Sequence, residues 1–139
     1  MNGMAVDETF VLDSYAILAL LSGEASGEVV ADLLRQAGEG KIPLSMTWVN
    51  VGEVAYIVER RWGKSRMYET VATLEETEIE IVPVGRELAL AAASVKAEQA
   101  LAYADAFAAA LALIRNATLV TGDPEFRALE PQLTVCWMD

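Results

Sequence analysis

The chain has 139 residues, 54% of them apolar, which suits one compact domain with a sizeable core, and we expect a single domain over residues 1–139. Its 10 Lys and Arg against 21 Asp and Glu give a formal net charge of −11, so non-specific attraction to nucleic acid is disfavoured and any such contact must be local. The lack of histidine and the single cysteine, Cys136, exclude Ser-His and Cys-His nucleophiles, histidine or four-cysteine metal sites, and an intrachain disulfide.

The first half of the chain alternates short β-branched or aromatic runs with segments of helical spacing. Ser22-Gly23 and the glycines Gly38 and Gly40 interrupt the helical spacing. The predicted elements are a strand from Thr9 to Leu12, helices from Tyr15 to Leu21 and from Glu28 to Ala37, a strand from Lys41 to Ser45, and a helix N-capped by Thr47 that runs to about Arg61.

The second half continues the same alternation. The predicted elements are a helix from about Lys64 to Glu75, a strand from Glu78 to Val84, helices of roughly Glu87 to Gln99 and Tyr103 to Arg115, a strand from Thr118 to Thr121 closed by Gly122-Asp123-Pro124, and a candidate fifth strand from Leu133 to Trp137. Strands that alternate with helices predict an α/β fold, a three-layer sandwich with a mainly parallel central sheet.

The sequence also bears on the compartment. Because no intrachain disulfide can form, nothing points to an oxidising compartment, and a cytoplasmic location is expected. Met1 to Glu8 contains no basic residue of the kind that opens a signal peptide. The longest quasi-apolar run, Ala100 to Ile114, is interrupted by Asp105 and is shorter than the roughly 18 to 20 residues of a membrane span, so we expect no membrane association.

Two aspartates follow predicted strands at the places where open α/β sheets bind ligands. Asp13 comes directly after the first strand, and Asp123 lies two residues after the fourth. Asp is also a preferred N-cap, and Asp123-Pro124 is a common turn sequence, so each residue alone has a structural explanation.

Two further acids occur on apolar helical segments. Asp105 is surrounded by alanines and aromatic residues, where a charge must be paired, bound to a metal or placed at a helix start. Glu53 lies in a helix that is apolar nearly all round, and its alternative is a solvent-facing position. Four acids in apolar settings indicate one shared pocket, and repelling carboxylates are best explained by a hard divalent cation with oxygen ligands.

The acids lie in Val11 to Leu21, Asn50 to Val54, Tyr103 to Leu111 and Leu119 to Phe126. In this order the four segments resemble the four acidic motifs of PIN-domain ribonucleases, and they closely resemble the VapC-like toxins of type II toxin-antitoxin pairs. The combination of Tyr-Ala-Asp-Ala-Phe around Asp105 with Thr-Gly-Asp-Pro-Glu-Phe around Asp123 is the most specific part. The resemblance spans nearly the whole chain.

This resemblance implies a metal-dependent endoribonuclease toxin. Its acidic quartet, Asp13, Glu53, Asp105 and Asp123, would hold Mg²⁺ or Mn²⁺, and the metal-bound water would cleave an RNA phosphodiester. The resemblance also implies a homodimer and a small antitoxin protein as partner.

Three further residues near the quartet have weaker support. Ser14 and Thr121 match positions where family members often carry a hydroxyl that supports the site, although ordinary turn and cap chemistry explains them equally well. Glu125 is either an extra outer carboxylate or a helix-start residue.

A cluster of basic residues offers a local contact for RNA. Four of the ten positive charges fall within seven residues, interleaved with Trp62 and followed by Tyr68: Arg60, Arg61, Lys64 and Arg66. This pattern suits backbone binding and base stacking, and it equally suits a solvated helix end that favours cations. Weaker candidates are Lys96, Arg115 and Arg127.

Three other interpretations can be compared with the ribonuclease. A catalytically inert PIN-like module that binds RNA or a protein partner is disfavoured by the intact quartet. A phosphotransfer or phosphatase domain would need a second acid two residues after Asp13, where Tyr15 stands. Gly63-Lys64-Ser65 is not a phosphate loop, because Val58 occupies the position of the first glycine and a helix is predicted before it.

Overall fold

Five parallel strands form the centre of the molecule, which is described over residues 8–138 in a computed structural model. The strands are β1 (Phe10–Leu12), β2 (Leu44–Thr47), β3 (Glu80–Val82), β4 (Thr118–Thr121) and β5 (Val135–Trp137). Their order is β3-β2-β1-β4-β5, and every pairing is parallel. Most of the segment considered for a signal peptide, residues 1–7, lies outside the described residues.

Within residues 8–138, six α-helices and one short 3₁₀ helix cover the two faces of the sheet. They are α1 (Ser14–Leu21), α2 (Gly27–Gly38), α3 (Trp48–Trp62), α4 (Lys64–Glu76), α5 (Arg86–Glu98), α6 (Tyr103–Arg115) and the 3₁₀ helix Pro124–Leu129. Phe10 and Leu12 of β1 pack into the core under α1 to α4, whereas Val11 packs into the core under α5 and α6. This alternation is the two-residue period of a strand buried on both faces. The predicted three-layer α/β sandwich is confirmed.

Four strands are shorter or shifted relative to their predicted bounds. β1 begins at Phe10 rather than Thr9, and β3 ends at Val82 rather than Val84. β2 begins at Leu44 rather than Lys41, because Gly40 adopts a turn conformation with φ of 76° and Pro43 has no N–H for a ladder. β3 loses Glu78 and Ile79, since the N–H of Ile79 donates to the Thr77 hydroxyl at 3.2 Å. β5 begins at Val135, because the N–H of Leu133 donates to the carbonyl oxygen of Leu129 at 2.9 Å instead of joining the ladder.

The helix starts position the candidate site. The side chain of Asp13 caps α1, and the predicted N-cap Thr47 caps α3, accepting from the N–H of Asn50 at 3.0 Å. Both helices therefore begin at the carboxyl ends of neighbouring strands. α6 precedes β4 and runs antiparallel to it, so its first turn returns to the same edge of the sheet.

Among residues 8–138 no single helix is long and apolar enough to cross a membrane, and α5 with α6 reaches the required length only as a pair bent by 115°.

Candidate active site

The four acids of the predicted quartet come together at the carboxyl edge of the sheet. Asp13 follows β1, Asp123 follows β4, Glu53 lies in the second turn of α3, and Asp105 lies in the first turn of α6. The charges of Asp123 and Glu53 act on Asp105, and those of Asp105 and Asp123 act on Asp13. Four segments that are far apart in the chain thus supply one acidic cluster.

Asp13 is fully buried, and both of its carboxylate oxygens accept hydrogen bonds within the protein. Oδ1 accepts from the N–H of Ala16 at 2.8 Å, and Oδ2 accepts from the hydroxyl of Thr121 at 2.5 Å. Burial raises the pKa of Asp13 to about 7 despite these two bonds, and the charges of Asp105 and Asp123 act in the same direction as burial. The capping role and the place in the acidic cluster therefore belong to one residue.

The two hydroxyls that the sequence suggested as supporting groups hold this framework together. The Thr121 hydroxyl donates to Asp13 and accepts from the N–H of Asp123 at 3.0 Å, which fixes the loop after β4 relative to β1. The Ser14 hydroxyl donates to the carbonyl oxygen of Asn50 at 3.2 Å, which joins the starts of α1 and α3.

Asp105 is half-buried at the border between the core and solvent. Burial raises its pKa to about 7, and the charges of Asp123, Glu53 and Glu125 reinforce that rise. A carboxyl group with a pKa near neutrality exchanges its proton readily for a cation when one is present.

Glu125 lies closer to the centre of the cluster than the sequence indicated. Carboxylate oxygens of Asp105, Asp123 and Glu125 lie within 4.8 Å of one another, and Asp13 and Glu53 stand outside this group of three. Glu125 is also in the first turn of the 3₁₀ helix, where its N–H donates to Asp123 Oδ1 at 3.0 Å. Its two sequence interpretations, a helix-start residue and an outer carboxylate, are therefore compatible.

Asn50 is a site residue that the sequence interpretation missed. It is fully buried, and its Nδ2 donates to Ser14 Oγ and to the carbonyl oxygen of Ala104, each at 3.1 Å. Its Oδ1 accepts from the Thr47 hydroxyl at 2.6 Å. Asn50 thereby ties together the first turns of α1, α3 and α6. The only sequence feature that could have indicated this role was an amide three residues after the N-cap of an apolar helix.

The acidic cluster has no positively charged partner within residues 8–138. The ion pairs of that part of the chain join Arg35 to Asp32 and Glu39, Lys41 to Glu39, and Arg115 to Glu80. Carboxylates that repel one another without a neighbouring Lys or Arg are stabilised best by a cation from solution.

The oxygen atoms of the acidic cluster suit a divalent metal ion. Mg²⁺ and Mn²⁺ prefer oxygen ligands, and Mg²⁺ binds through a small number of carboxylates and retains several waters. The cluster offers only carboxylate oxygens, three of which lie within 4.8 Å of one another, and its side chains are partly exposed except for that of Asp13. The residues present therefore fit such an ion.

The predicted basic segment lies at the far end of α3 from Glu53. The guanidinium of Arg60 lies 5.7 Å from the centre of the Tyr56 ring, and those of Arg61 and Arg66 lie 5.8 and 5.9 Å from the centre of the Trp62 ring. These arginines are exposed, as is Lys64 at the start of α4, so the segment is an exposed, positively charged aromatic corner at the end of α3 away from the acidic cluster.

The three weaker basic candidates have partners elsewhere. Lys96 Nζ donates to the carbonyl oxygen of Leu101 at 2.7 Å, and Arg115 binds both carboxylate oxygens of Glu80. The guanidinium of Arg127 lies 4.4 Å from the centre of a Trp137 ring. These contacts explain the three side chains without RNA.

The fold is similar to those of solved structures over nearly the whole chain. VapBC from Salmonella typhimurium, determined bound to DNA, matches with a TM-score of 0.74 and 16% identity over 95% of this chain and 99% of that chain. VapBC2 from Rickettsia felis, bound to a fragment of its promoter DNA, matches with a TM-score of 0.72 and 18% identity over 94% and 99%.

VapC20 from Mycobacterium tuberculosis, a toxin that cleaves the sarcin-ricin loop, matches with a TM-score of 0.68 and 18% identity over 88% of this chain and 95% of that chain. No curated protein shows significant sequence similarity to the chain. The family model of the PIN domain matches residues 10–130, which cover all the acids of the cluster. The chain therefore belongs to the PIN domain family.

Proposed function

We propose that the chain is a Mg²⁺- or Mn²⁺-dependent endoribonuclease and the toxin of a toxin-antitoxin pair. One observation carries this proposal: a PIN domain presents a cluster of carboxylates from four separate segments, with no ion-pair partner among residues 8–138. Such an arrangement costs stability, and active sites commonly retain costly arrangements for function.

Within this proposal, Asp13, Glu53, Asp105 and Asp123 hold the cation, and Glu125 adds a further carboxylate. The chemistry that a divalent cation supplies in such a site is a lowered pKa of a bound water and stabilisation of charge on the phosphodiester oxygens. Asp13 contributes a fixed orientation, because both of its oxygens are already bonded to Ala16 and Thr121. No histidine is needed as a general base.

The proposed partners follow from the same assignment. The structural relatives include VapBC complexes, and we assign an antitoxin protein as the partner of this chain in the cytoplasm. A homodimer is also proposed, and exposed apolar residues supply a surface for it on the α5–α6 side: Val84, Leu90, Leu113 and Ile114.

An inert PIN module that binds RNA or protein is the second candidate function. A binding module has no need for a cluster of mutually repelling carboxylates, whereas phosphodiester hydrolysis does. The quartet of this chain is complete, which favours the enzyme.

The test is cleavage of structured RNA by the purified protein with Mg²⁺, with Mn²⁺ and with excess EDTA. Cleavage is expected only with metal, and Asp105→Asn is expected to reduce the rate by about a hundredfold or more, the size of losing one charge-stabilising group in an active site. Asp32→Asn is the matched control, because it removes the same charge from exposed helix α2.

Two results would contradict the proposal. Undiminished cleavage in EDTA would remove the metal mechanism, and equal activity of Asp105→Asn and Asp32→Asn would remove the acidic cluster from the reaction. Tight RNA binding without any cleavage in either metal would favour the inert module.

A further inference from the structure

A groove of about 240 Å³ lies between α1 and α3. Because both helices begin at the carboxyl edge of the sheet, the groove leads away from that edge along the two helix axes. Its lining combines an aromatic ring, aliphatic side chains and two ionic groups: Tyr15, Leu18, Ala19, Ser22, Glu24, Ile57 and Arg61.

The α3 side of the groove is lined by Ile57 and Arg61, which lie on the face of the helix that also carries Glu53. Glu53, Ile57 and Arg61 are spaced four apart, so they lie on nearly the same face of the helix. At about 1.5 Å per residue, Arg61 lies about 12 Å along the helix from Glu53. A stacked nucleic-acid strand advances about 3.4 Å per nucleotide, so this distance spans a few nucleotides.

The α1 side of the groove begins with the ring of Tyr15. This ring is 39% exposed and lies against Gly122, the residue that precedes Asp123. A Cβ atom at position 122 would lie only 2.9 Å from Cζ of the ring, so glycine is needed for the ring to occupy this place. Tyr15 therefore forms the boundary between the acidic cluster and the groove.

We propose that this groove binds the nucleotide next to the scissile phosphate, with its base stacked on Tyr15 and a following phosphate paired with Arg61. An exposed aromatic ring followed by a guanidinium is the combination that binds single-stranded nucleic acid. The groove is smaller than the roughly 300–1,000 Å³ of sites for drug-sized ligands, which suits one base. The inference deepens the proposed ribonuclease function and rests on it.

The charges in the groove set where a phosphate is favoured and where it is not. Arg61 attracts a phosphate at the end far from the acids, whereas the carboxylate of Glu24 repels phosphate and accepts hydrogen bonds from base amino groups. The two adjacent arginines have different surroundings. Arg61 lines the groove, whereas Arg60 lies over the Tyr56 ring and does not line it. The groove predicts unequal roles for these two adjacent arginines.

The experiment measures binding of a short fluorescent RNA that contains the site cut by the wild-type protein, with each substitution placed in the Asp105→Asn protein so that the RNA stays intact. Tyr15→Leu is expected to weaken binding about five- to a hundredfold, the range for losing one base–aromatic stack. Tyr15→Phe retains the ring and is expected to bind like the parent. Arg61→Gln is expected to weaken binding at least threefold more than Arg60→Gln.

Tyr56→Leu is the control for loss of an exposed tyrosine, and melting temperatures show that each variant is folded. Steady-state kinetics in the otherwise wild-type protein provide a second readout, because loss of the base contact raises KM more than it lowers kcat. Equal RNA affinity for Tyr15→Leu, Tyr56→Leu and the parent would overturn the proposal, as expected if the groove binds a segment of a protein partner instead.

The two proposals fail in different ways. If the wild-type protein shows no metal-dependent cleavage, the ribonuclease function is ruled out. The binding series, carried out with any RNA that the protein still binds, then tests the groove on its own. Cleavage that is normal in wild type and unchanged in KM by Tyr15→Leu and Arg61→Gln removes the groove and leaves the ribonuclease intact.

Discussion

In two acidic regions of the molecule, the pKa values of carboxyl groups are shifted in opposite directions. On α2 and the turn after it, Asp32 and Glu39 are exposed and lie beside Arg35 and Lys41. Hydrogen bonds and the neighbouring cations lower the pKa of both carboxyl groups. At the carboxyl edge of the sheet, burial and neighbouring carboxylates raise the pKa of Asp13 and Asp105 instead.

The difference teaches where this fold tolerates unfavourable electrostatics. Asp32 and its partners are a solvated surface arrangement of little energetic consequence. The acidic cluster has no cation beside it among residues 8–138, and neutral hydrogen bonds from Thr121 and Asn50 hold its framework in place instead. Four measurements test this contrast.

The largest expected effect is on the pH dependence of stability in the metal-free protein. The pKa of Asp13 is about 7 in the folded state, above its ordinary value of 3.8, so protonation favours folding. This contribution is fully present below the unfolded pKa and is lost as the pH rises through 7. Asp13 alone should lower the free energy of unfolding by urea in EDTA by about 3 kcal/mol between pH 5 and pH 8, and Asp105, whose pKa is raised in the same direction, should add to this fall.

Because burial also raises the pKa of Asp105, Asp13→Asn should reduce that fall substantially without abolishing it, and Asp32→Asn should leave it in place. The α2 carboxylates have the opposite sign, because their lowered pKa values mean that their contribution is lost only as the pH falls below the ordinary range of Asp and Glu. The same pH dependence in wild type and Asp13→Asn would show that burial does not control the proton of Asp13.

The next effect concerns the neutral framework of the acidic cluster. Asn50→Ala leaves the Thr47 hydroxyl and the Ala104 carbonyl without their buried partner, which should lower the free energy of unfolding by about 2 kcal/mol. Urea denaturation measures this loss. Gln36→Ala, which removes the bond from Gln36 to Asp32 on α2, is the control and should change stability little. Equal effects would contradict the distinction between the regions.

A smaller effect is stabilisation by Mg²⁺. At about ten times its dissociation constant, the ion should add about 1.4 kcal/mol and raise the melting temperature by a few degrees. Asp105→Asn should lose most of this rise, whereas Asp32→Asn should keep it. NaCl at matched ionic strength is the control, and an equal rise with NaCl would show general screening rather than a bound ion.

The smallest effect is expected from Arg35→Ala. This change removes two exposed ion pairs of α2, which screening and side-chain entropy leave nearly without net stabilisation. The melting temperature should change by no more than about one degree, as measured by circular dichroism at low and physiological salt. A loss of several degrees would make the α2 pairs structurally important and would erase the contrast.

The fold was predictable from sequence because its signals are local. Alternating strand and helix patterns predicted the three-layer sandwich, and the bounds of α6 and β4 match their predicted residues. The misplaced strand bounds depended on particular backbone hydrogen bonds, such as that of Ile79 to Thr77, which compete with the ladder and leave no trace in the hydrophobic pattern.

The site was predictable only in part. Asp13 and Asp123 follow strands, and Glu53 and Asp105 interrupt apolar helices, so each has a local signal. Asn50 had no comparable signal, since its importance comes from contacts with Ser14 and Ala104 that are 36 and 54 residues away. Tyr15 and Arg61 likewise acquire a common role only when α1 and α3 lie side by side.

The composition of α6 has a consequence for how Asp105 is placed. Residues 106–112 of this helix are all buried, and five of these seven are alanine. Short side chains allow the helix to lie close to β1, β2 and β4. They also leave it few large side chains that interdigitate with those of its neighbours.

The axial position of α6 must then be set largely at its two ends. At the start, Asn50 holds the carbonyl of Ala104, and at the end Arg115 reaches across to Glu80 on β3 and to the Ser45 hydroxyl on β2. Arg115 lies about 15 Å along the helix from Asp105 at 1.5 Å per residue. The guanidinium thus joins the end of α6 to β2 and β3 on the opposite rim of the sheet, and together with Asn50 at the other end it favours the axial position that places Asp105 in the site.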